Sequence, residues 1–307
     1  MPKGKERHTI TIENQGVDIT NPNKPLWPDK GITKLTYLKY LIEASPHLLP
    51  FLKDRELTVI RYPHGVTGES FYQKSCPDYA PDFVKTHLSG DINYIVCSDL
   101  PTLIWLGNQA AIDLHIPFNK IDSALPTEIV IDLDPPSKEE FILSVEAALI
   151  IKEVFDGLNI ISFIKTSGNK GLQIYIPIPE NRYTYEETRL FTEFLANYLT
   201  KKEPKWFTTE RLKKNRGKRL YVDYLQHAEG KTIVAPYSLR GNPEALVAAP
   251  LNWSEVKQSL SPSMFSLEVV LERIASKNLP FKDYSKIKSK QDFDKILLWL
   301  KEALPKS

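Results

Sequence analysis

The chain has 307 residues, 42% of them hydrophobic, with 40 Lys and Arg against 38 Asp and Glu for a formal net charge of +2. That composition supports a sizeable core in one large or two small domains, and a charge this small makes no case by itself for a polyanionic partner. The two cysteines, Cys76 and Cys97, form neither a C-x-x-C pair nor a disulfide framework, which points to a reducing compartment without structural zinc.

The first seven residues, Met1-Pro2-Lys3-Gly4-Lys5-Glu6-Arg7, are polar and lack a signal-peptide core. His8–Glu13 is expected as a short strand, and Asn21-Pro22-Asn23-Lys24-Pro25 as a turn. Thr33 is placed to cap a helix whose stripe is Tyr37, Leu38, Leu41 and Ile42, ending near Pro46. Leu57–Tyr62 and Ser70–Lys74 are predicted strands around Pro63–Gly68, Leu100–Leu114 a helix, and Pro117–Pro126 a linker. Ile129–Pro135 is an apolar strand. Lys138–Phe155 is a helix with Phe141, Val145, Ala148, Leu149 and Val154 inward. Ile160–Lys165 and Leu172–Ile178 are strands, the second alternating, and Thr184–Thr200 is a helix. Arg219–Leu225 and Lys231–Ala235 are strands, and the chain from Ser254 is helical and peripheral. Intermingled strands and helices make the class α/β or α+β. No apolar run nears the about 18 residues of a membrane span.

The segment Ile129-Val130-Ile131-Asp132-Leu133-Asp134-Pro135 ends a strand on two carboxylates two residues apart. Alternate residues share a face, so Asp132 and Asp134 project together. Two such charges repel unless a cation sits between them, and Mg²⁺ and Mn²⁺ suit hard oxygen ligands. The competing reading is a solvated strand-end pair. Thr166-Ser167-Gly168-Asn169-Lys170-Gly171 offers backbone N–H groups and an ammonium to phosphate oxygens. Without Walker spacing it is not a P-loop, and an ordinary hairpin turn explains it equally well. Asp223 lies inside Lys218–Tyr224, where strand aspartate is disfavoured; it is either an edge residue or a third ligand. Arg240, before Gly241, could fork onto phosphate oxygens, or be one more surface arginine.

Four motifs occur together and in order: Asp132-Leu133-Asp134-Pro135, Thr166–Gly171, Tyr221–Gln226 and Ala235–Arg240. With Asn21–Pro28 and Phe71-Tyr72-Gln73-Lys74, they resemble the polymerase domain of bacterial and archaeal ligase D, the end-joining branch of the archaeo-eukaryotic primase superfamily. The resemblance runs over roughly residues 10 to 300. It implies a primase-like catalytic core with mixed and antiparallel sheets flanked by helices, folded as a single domain over 1–307. The parts would be an end-binding region (about 10–125), a metal and nucleotide core (about 126–253) and a helical tail (about 254–307).

What the resemblance implies for function is template-directed polymerisation that fills gaps at double-strand break ends during non-homologous end joining. Asp132, Asp134 and Asp223 would hold two divalent ions, Mn²⁺ or Mg²⁺. Ser167, Lys170 and Arg240 would hold the triphosphate, with Arg216 a further site arginine and His115 near the incoming nucleotide; a structural histidine is the alternative for His115. Lys24 and Lys34 would grip a downstream 5′-phosphate, and Phe71 and Tyr72 would stack on bases, although adjacent strand residues point to opposite faces and one of the pair is expected in the core. The family's loop commonly continues Lys-Gly-Leu-His, where the histidine would reach the triphosphate; Gln173 stands there instead, keeping a donor without the ability to carry charge, and is expected as a further nucleotide contact. Gapped DNA, ribo- and deoxynucleotides, an end-joining ligase and Ku are the implied partners, in a prokaryotic cytoplasm at the nucleoid, with ribonucleotides preferred. No ligase or nuclease segment accompanies the motifs, so the chain is expected to be either a stand-alone polymerase or a piece of a longer protein. Two other readings are a primase that starts chains unaided and a non-catalytic end-binding module.

Overall fold

The computed structural model describes residues 7–303, so the polar lead-in read at residues 1–6 lies outside the described residues. Chain order runs β1 Arg7–Ile12, β2 Gln15–Thr20, β3 Pro25–Trp27, β4 Ile32–Thr33, α1 Lys34–Leu52, β5 Glu56–Arg61, β6 Phe71–Gln73, β7 Lys85–Ser89, β8 Ile92–Val96, α2 Leu100–Asn108 and β9 Ala111–Pro117. It continues through β10 Glu128–Asp134, α3 Ile142–Gly157, β11 Phe163–Thr166, β12 Leu172–Pro177, α4 Tyr185–Lys202, β13 Phe207–Thr208 and the short α5 Lys213–Arg216. β14 Leu220–Asp223, β15 Thr232–Val234, β16 Pro250–Leu251, α6 Leu267–Ala275, α7 Tyr284–Ile287 and α8 Asp294–Ala303 complete it. Two compact units result. One gathers the chain up to Pro117 with Ile233–Ala248 and Phe265–Asn278; the other holds Phe118–Thr232, Ala249–Met264 and the chain from Leu279.

The first unit is organised on a sheet ordered β15-β9-β5-β8-β7, with β6 paired to β5. α1 starts where Thr33 accepts a hydrogen bond from the Thr36 amide, and it runs past Pro46 and Pro50 to Leu52 rather than ending at Pro46. Proline cannot donate to the carbonyl four residues back; Ser45 Oγ donates to Ile42 O instead (2.8 Å), which relieves the first break. Ile42 itself is exposed. Leu100–Leu114 is not one helix. α2 stops at Asn108, Ala110 turns in the left-handed region (φ 56°), and β9 follows antiparallel to β5 with His115 opposite Thr58. Apolar residues run through both elements, so hydrophobic pattern alone joined them. Buried Tyr37 and Tyr40 tie α1 inward, donating to the carbonyls of Ala111 and Tyr237 at 2.6 Å each.

The second unit holds a sheet ordered β13-β14-β10-β12-β11-β16. β10 pairs antiparallel with both β12 and β14. All six residues of β12 are buried, so this strand does not alternate between core and solvent as its sequence suggested. Strands enclosed on both sides read as near-continuous apolar runs. α3 packs against β10 and β12, and α7 against β12. Phe141 at the N-cap of α3 is buried, as are Val145 and Ala148 on the helix, whereas Leu149 is exposed. α4 opens with a full capping box between Thr184 and Glu187.

Candidate active site

The sheet of the second unit carries a polar row across four neighbouring strands. Asp132 of β10 stands opposite Asp223 of β14 on one side and opposite Gln173 of β12 on the other. Gln173 in turn stands opposite Lys165 of β11. Directly opposed residues project from the same face, and Asp134, two residues beyond Asp132, shares it.

Electrostatics follow from the placement. Burial pushes the Asp132 carboxyl up to about 6; the neighbouring Asp134 and Asp223 push the same way, and the Gln173 amide opposes them. Asp223 is also raised, by burial first, against a hydrogen bond from the Tyr221 hydroxyl (3.1 Å). Asp134 faces cations: Lys170 Nζ lies 3.1 Å from Oδ1 and Arg216 Nη1 4.0 Å from Oδ2. An oxygen-rich cluster of carboxylates that repel one another is a donor set suited to a hard divalent ion, so these residues fit one. Among the described residues no three His, Cys, Asp or Glu side chains already converge as a metal-ligating group. Each carboxylate is instead turned to a local partner: Asp132 to Gln173 Nε2 at 3.0 Å, Asp134 to its cations, and Asp223 to Tyr221.

The loop between β11 and β12 is folded against the aspartate strand. Ser167 Oγ accepts from the amides of Asn169 (3.2 Å) and Gly171 (3.0 Å), and Gly168 takes φ +69°. A Cβ on Gly171 would sit 2.3 Å from Leu133 O, so glycine is what lets the loop reach the strand. Lys170 Nζ then donates to the carbonyls of Pro135 (2.6 Å) and Pro136 (3.0 Å) as well as to Asp134. Arg216 is held by the carbonyls of Glu210 and Arg211, 2.8 Å each, and lies over Tyr221 with Cζ 3.7 Å from the ring centre. Within the basic run Lys213–Arg219, Arg216 is therefore the arginine turned toward the carboxylates. Gln173 is buried, between Asp132 and Lys165.

Other residues singled out in the sequence lie in the first unit. Arg240 Nε donates to Asp113 Oδ2 (2.8 Å), while the Gly241 amide donates to Asp113 Oδ1 (2.7 Å). Burial raises the Asp113 carboxyl, and Arg240 opposes the rise. His115 is half-buried on β9. Lys34 is 5% exposed and donates to Thr20 O (2.6 Å) and Asn108 Oδ1 (3.1 Å). Burial lowers its ammonium to about 8, with Lys24 and Arg61 adding like-charge repulsion. Lys24 Nζ donates to Pro63 O. Phe71 and Tyr72 are 46% and 73% exposed, and Arg61 lies over the Phe71 ring. The expectation that one of the two enters the core fails because β6 is three residues long and pairs with β5 alone.

Sequence reasoning missed Asp113, Tyr221 and Lys165. Lys165 had one usable signal: with a hairpin loop of Ser167–Gly171, pairing Thr166 with Leu172 sets Lys165 against Gln173.

A model of the LigD primase-polymerase domain matches residues 33–281. The chain belongs to the LigD primase-polymerase family. It is 50% identical over 296 residues to the bifunctional non-homologous end joining protein LigD of Bacillus subtilis, covering 96% of this chain and 48% of that protein. Against the multifunctional LigD of Mycolicibacterium smegmatis identity is 32% over 262 residues, 83% of this chain and 34% of the other. The chain thus spans about half or less of these relatives. Among solved structures, the polymerase domain of Mycobacterium tuberculosis ligase D in complex with DNA superposes with a TM-score of 0.77 at 28% identity, covering 86% of this chain and 98% of that one. The mixed sheets and helices described above are this family's fold, and membership makes the chain a nucleotidyltransferase domain of the polymerase type. Among the described residues no helix is long and apolar enough to cross a membrane.

Proposed function

We propose that the chain extends a DNA primer by template-directed nucleotidyl transfer, filling gaps at broken ends for non-homologous end joining in the bacterial cytoplasm. The observation that supports this reading most is the shared sheet face of Asp132, Asp134 and Asp223. Two divalent ions, Mg²⁺ or Mn²⁺, held by these carboxylates would activate the primer 3′-hydroxyl and neutralise charge on the phosphates. The chain's own residues do the rest. Gln173 orients Asp132. Lys170 and the Ser167 loop offer an ammonium and amides to the triphosphate, and Arg216 adds a planar donor fork. Arg240 and His115 are assigned to the nucleotide on the family resemblance alone.

The downstream 5′-phosphate is assigned to the cluster of Lys24 and Lys34. Arg61 lies within their electrostatic reach, and a terminal phosphate relieves repulsion among three cations. Phe71 and Tyr72 are exposed rings suited to base stacking. Ribonucleotides are the preferred substrate in this reading, and a ligase and Ku are the protein partners. The residues 1–307 act as one catalytic domain.

Extension of a labelled primer on gapped DNA tests the proposal. It is run with and without the downstream 5′-phosphate, with Mg²⁺ or Mn²⁺, and with ribo- or deoxynucleotides. Metal-dependent, template-matched addition stimulated by the phosphate is expected. Synthesis without any primer would favour the primase reading, and binding without extension would favour an end-binding module.

A further inference from the structure

Lys165 is fully buried, at 0% exposure, in the strand next but one to the catalytic aspartates. A buried ammonium is costly unless it is paired and hydrogen-bonded. Nothing in the proposed chemistry uses it directly. Its Nζ donates to Gln173 Oε1 and to Thr166 O (3.3 Å), and lies 5.6 Å from the centre of the Tyr175 ring. Tyr175 is itself packed against Phe281 and Tyr284, so the lysine sits at the dry end of the polar row.

The chemistry of the three groups is directional. An ammonium has donors and no acceptor, so it can face only the oxygen of an amide. With Oε1 turned to Lys165, Nε2 is left to face Asp132, and it does, 3.0 Å from Oδ1. Lysine and carboxylate thus select the same amide orientation, and without the lysine Oε1 would lose this partner and Asp132 alone would hold the amide.

We propose that Lys165 is a positioning residue for the metal-binding carboxylate: it fixes the Gln173 amide, and the fixed amide holds Asp132 Oδ1 so that its remaining lone pairs are aimed at a divalent ion. This deepens the reading of Asp132 as a metal ligand and rests on it. Outer-shell partners of this kind typically change metal affinity by about 10–100-fold when removed.

The test is Mn²⁺ binding to the intact chain without nucleotide, followed by electron paramagnetic resonance, with melting temperature measured alongside. Lys165→Met and Gln173→Leu should each weaken Mn²⁺ binding by about 10-fold. Because the lysine acts through the glutamine, the double variant should bind no more weakly than Gln173→Leu. It should also melt higher than Gln173→Leu, in which a buried ammonium has lost a partner. Wild-type affinity in Lys165→Met, or losses that multiply in the double variant, would overturn the proposal. Asp132→Asn is the control: if it binds Mn²⁺ normally, the ligand assignment fails, whereas if it alone loses binding, the ligand assignment stands and the positioning roles of Lys165 and Gln173 fail. A measurement on the unaltered protein decides the matter should Lys165→Met not fold. The Gln173 side-chain N–H₂ signals should exchange slowly with solvent and shift on adding Mg²⁺; exchange as fast as an exposed glutamine would refute the fixed amide.

Discussion

Asp132 and Asp223 face each other directly across an antiparallel strand pair, although 90 residues of sequence separate them. Burial raises both carboxyls; Asp134 and Asp223 push Asp132 further, and Asp134 pushes Asp223, so the sheet holds these carboxyls together against the charge around them. Asp132→Asn, Asp134→Asn and Asp223→Asn should each cut primer extension by more than the about 100-fold upper range of a supporting residue. Gapped-DNA affinity should change little. Single-turnover extension with filter binding checks this; a variant extending at near wild-type rate removes that residue from the catalytic set.

The pH behaviour has a definite sign. Folding raises the Asp132 carboxyl from 3.8 to about 6. Between those values the folded chain holds more protons than the unfolded one, so this residue's contribution favours folding at low pH and fades as pH rises through about 6. A divalent ion reverses the penalty on the ionised form. The melting-temperature gain from Mn²⁺ should therefore grow between pH 5 and pH 7, both chosen to bracket about 6. Thermal scans with and without Mn²⁺ measure it; a gain that shrank as pH rose would contradict the argument.

For Lys34 the signs run the other way. Its ammonium is lowered to about 8, so the charge proposed to attract a 5′-phosphate is present below that pH and lost above it. From about 8 to the ordinary 10.5 the unfolded chain holds more protons at this residue, and its contribution to stability rises with pH. Stimulation of gap filling by a downstream phosphate should decline as pH passes 8. Lys34→Met should remove both the stimulation and its pH dependence. Stimulation unaltered in the variant would move the phosphate site elsewhere.

Gly171→Ala should be costly for a steric reason. Its Cβ would meet Leu133 O at 2.3 Å, forcing the loop off the aspartate strand at a cost of about 1–3 kcal/mol. Lys170 would shift away from Asp134 with it. Denaturant titration and the Michaelis constant for nucleotide read the two effects, and a variant unchanged in both would show that the loop closes loosely.

Asp113→Asn should leave the Gly241 hydrogen bond in place and abolish the one from Arg240, since an amide N–H₂ would then face the Arg240 Nε donor, lowering stability by about 1.5–3 kcal/mol. Chemical denaturation gives the value directly. A change well under that range would mean that Arg240 finds other partners.

Much of the core was legible before the fold was known. The β10 run ending in Asp132 and Asp134, the Thr33 cap, the helix starting at Thr184 and the β11–β12 hairpin are set by local periodicity and turn chemistry. The Leu100–Leu114 segment was misjudged because an apolar helix and an apolar buried strand carry the same composition, and only the left-handed turn at Ala110 divides them. The opposition of Asp223 to Asp132 arises from strand pairing over long sequence distances, which no local window contains. The same holds for Lys165, whose value depends on a register two strands away from the aspartates.

Both units are discontinuous in sequence. The first is completed only by Phe265–Asn278, and the second opens at Phe118 and is still being built after Leu279. During synthesis neither can finish before nearly the whole chain has left the ribosome, and distant pairings of this kind fold slowly. No single cut yields a self-sufficient half. Dissection of this polymerase by truncation is thus expected to give aggregation-prone fragments, and circular permutation at exposed turns is the better route to separating its two bodies.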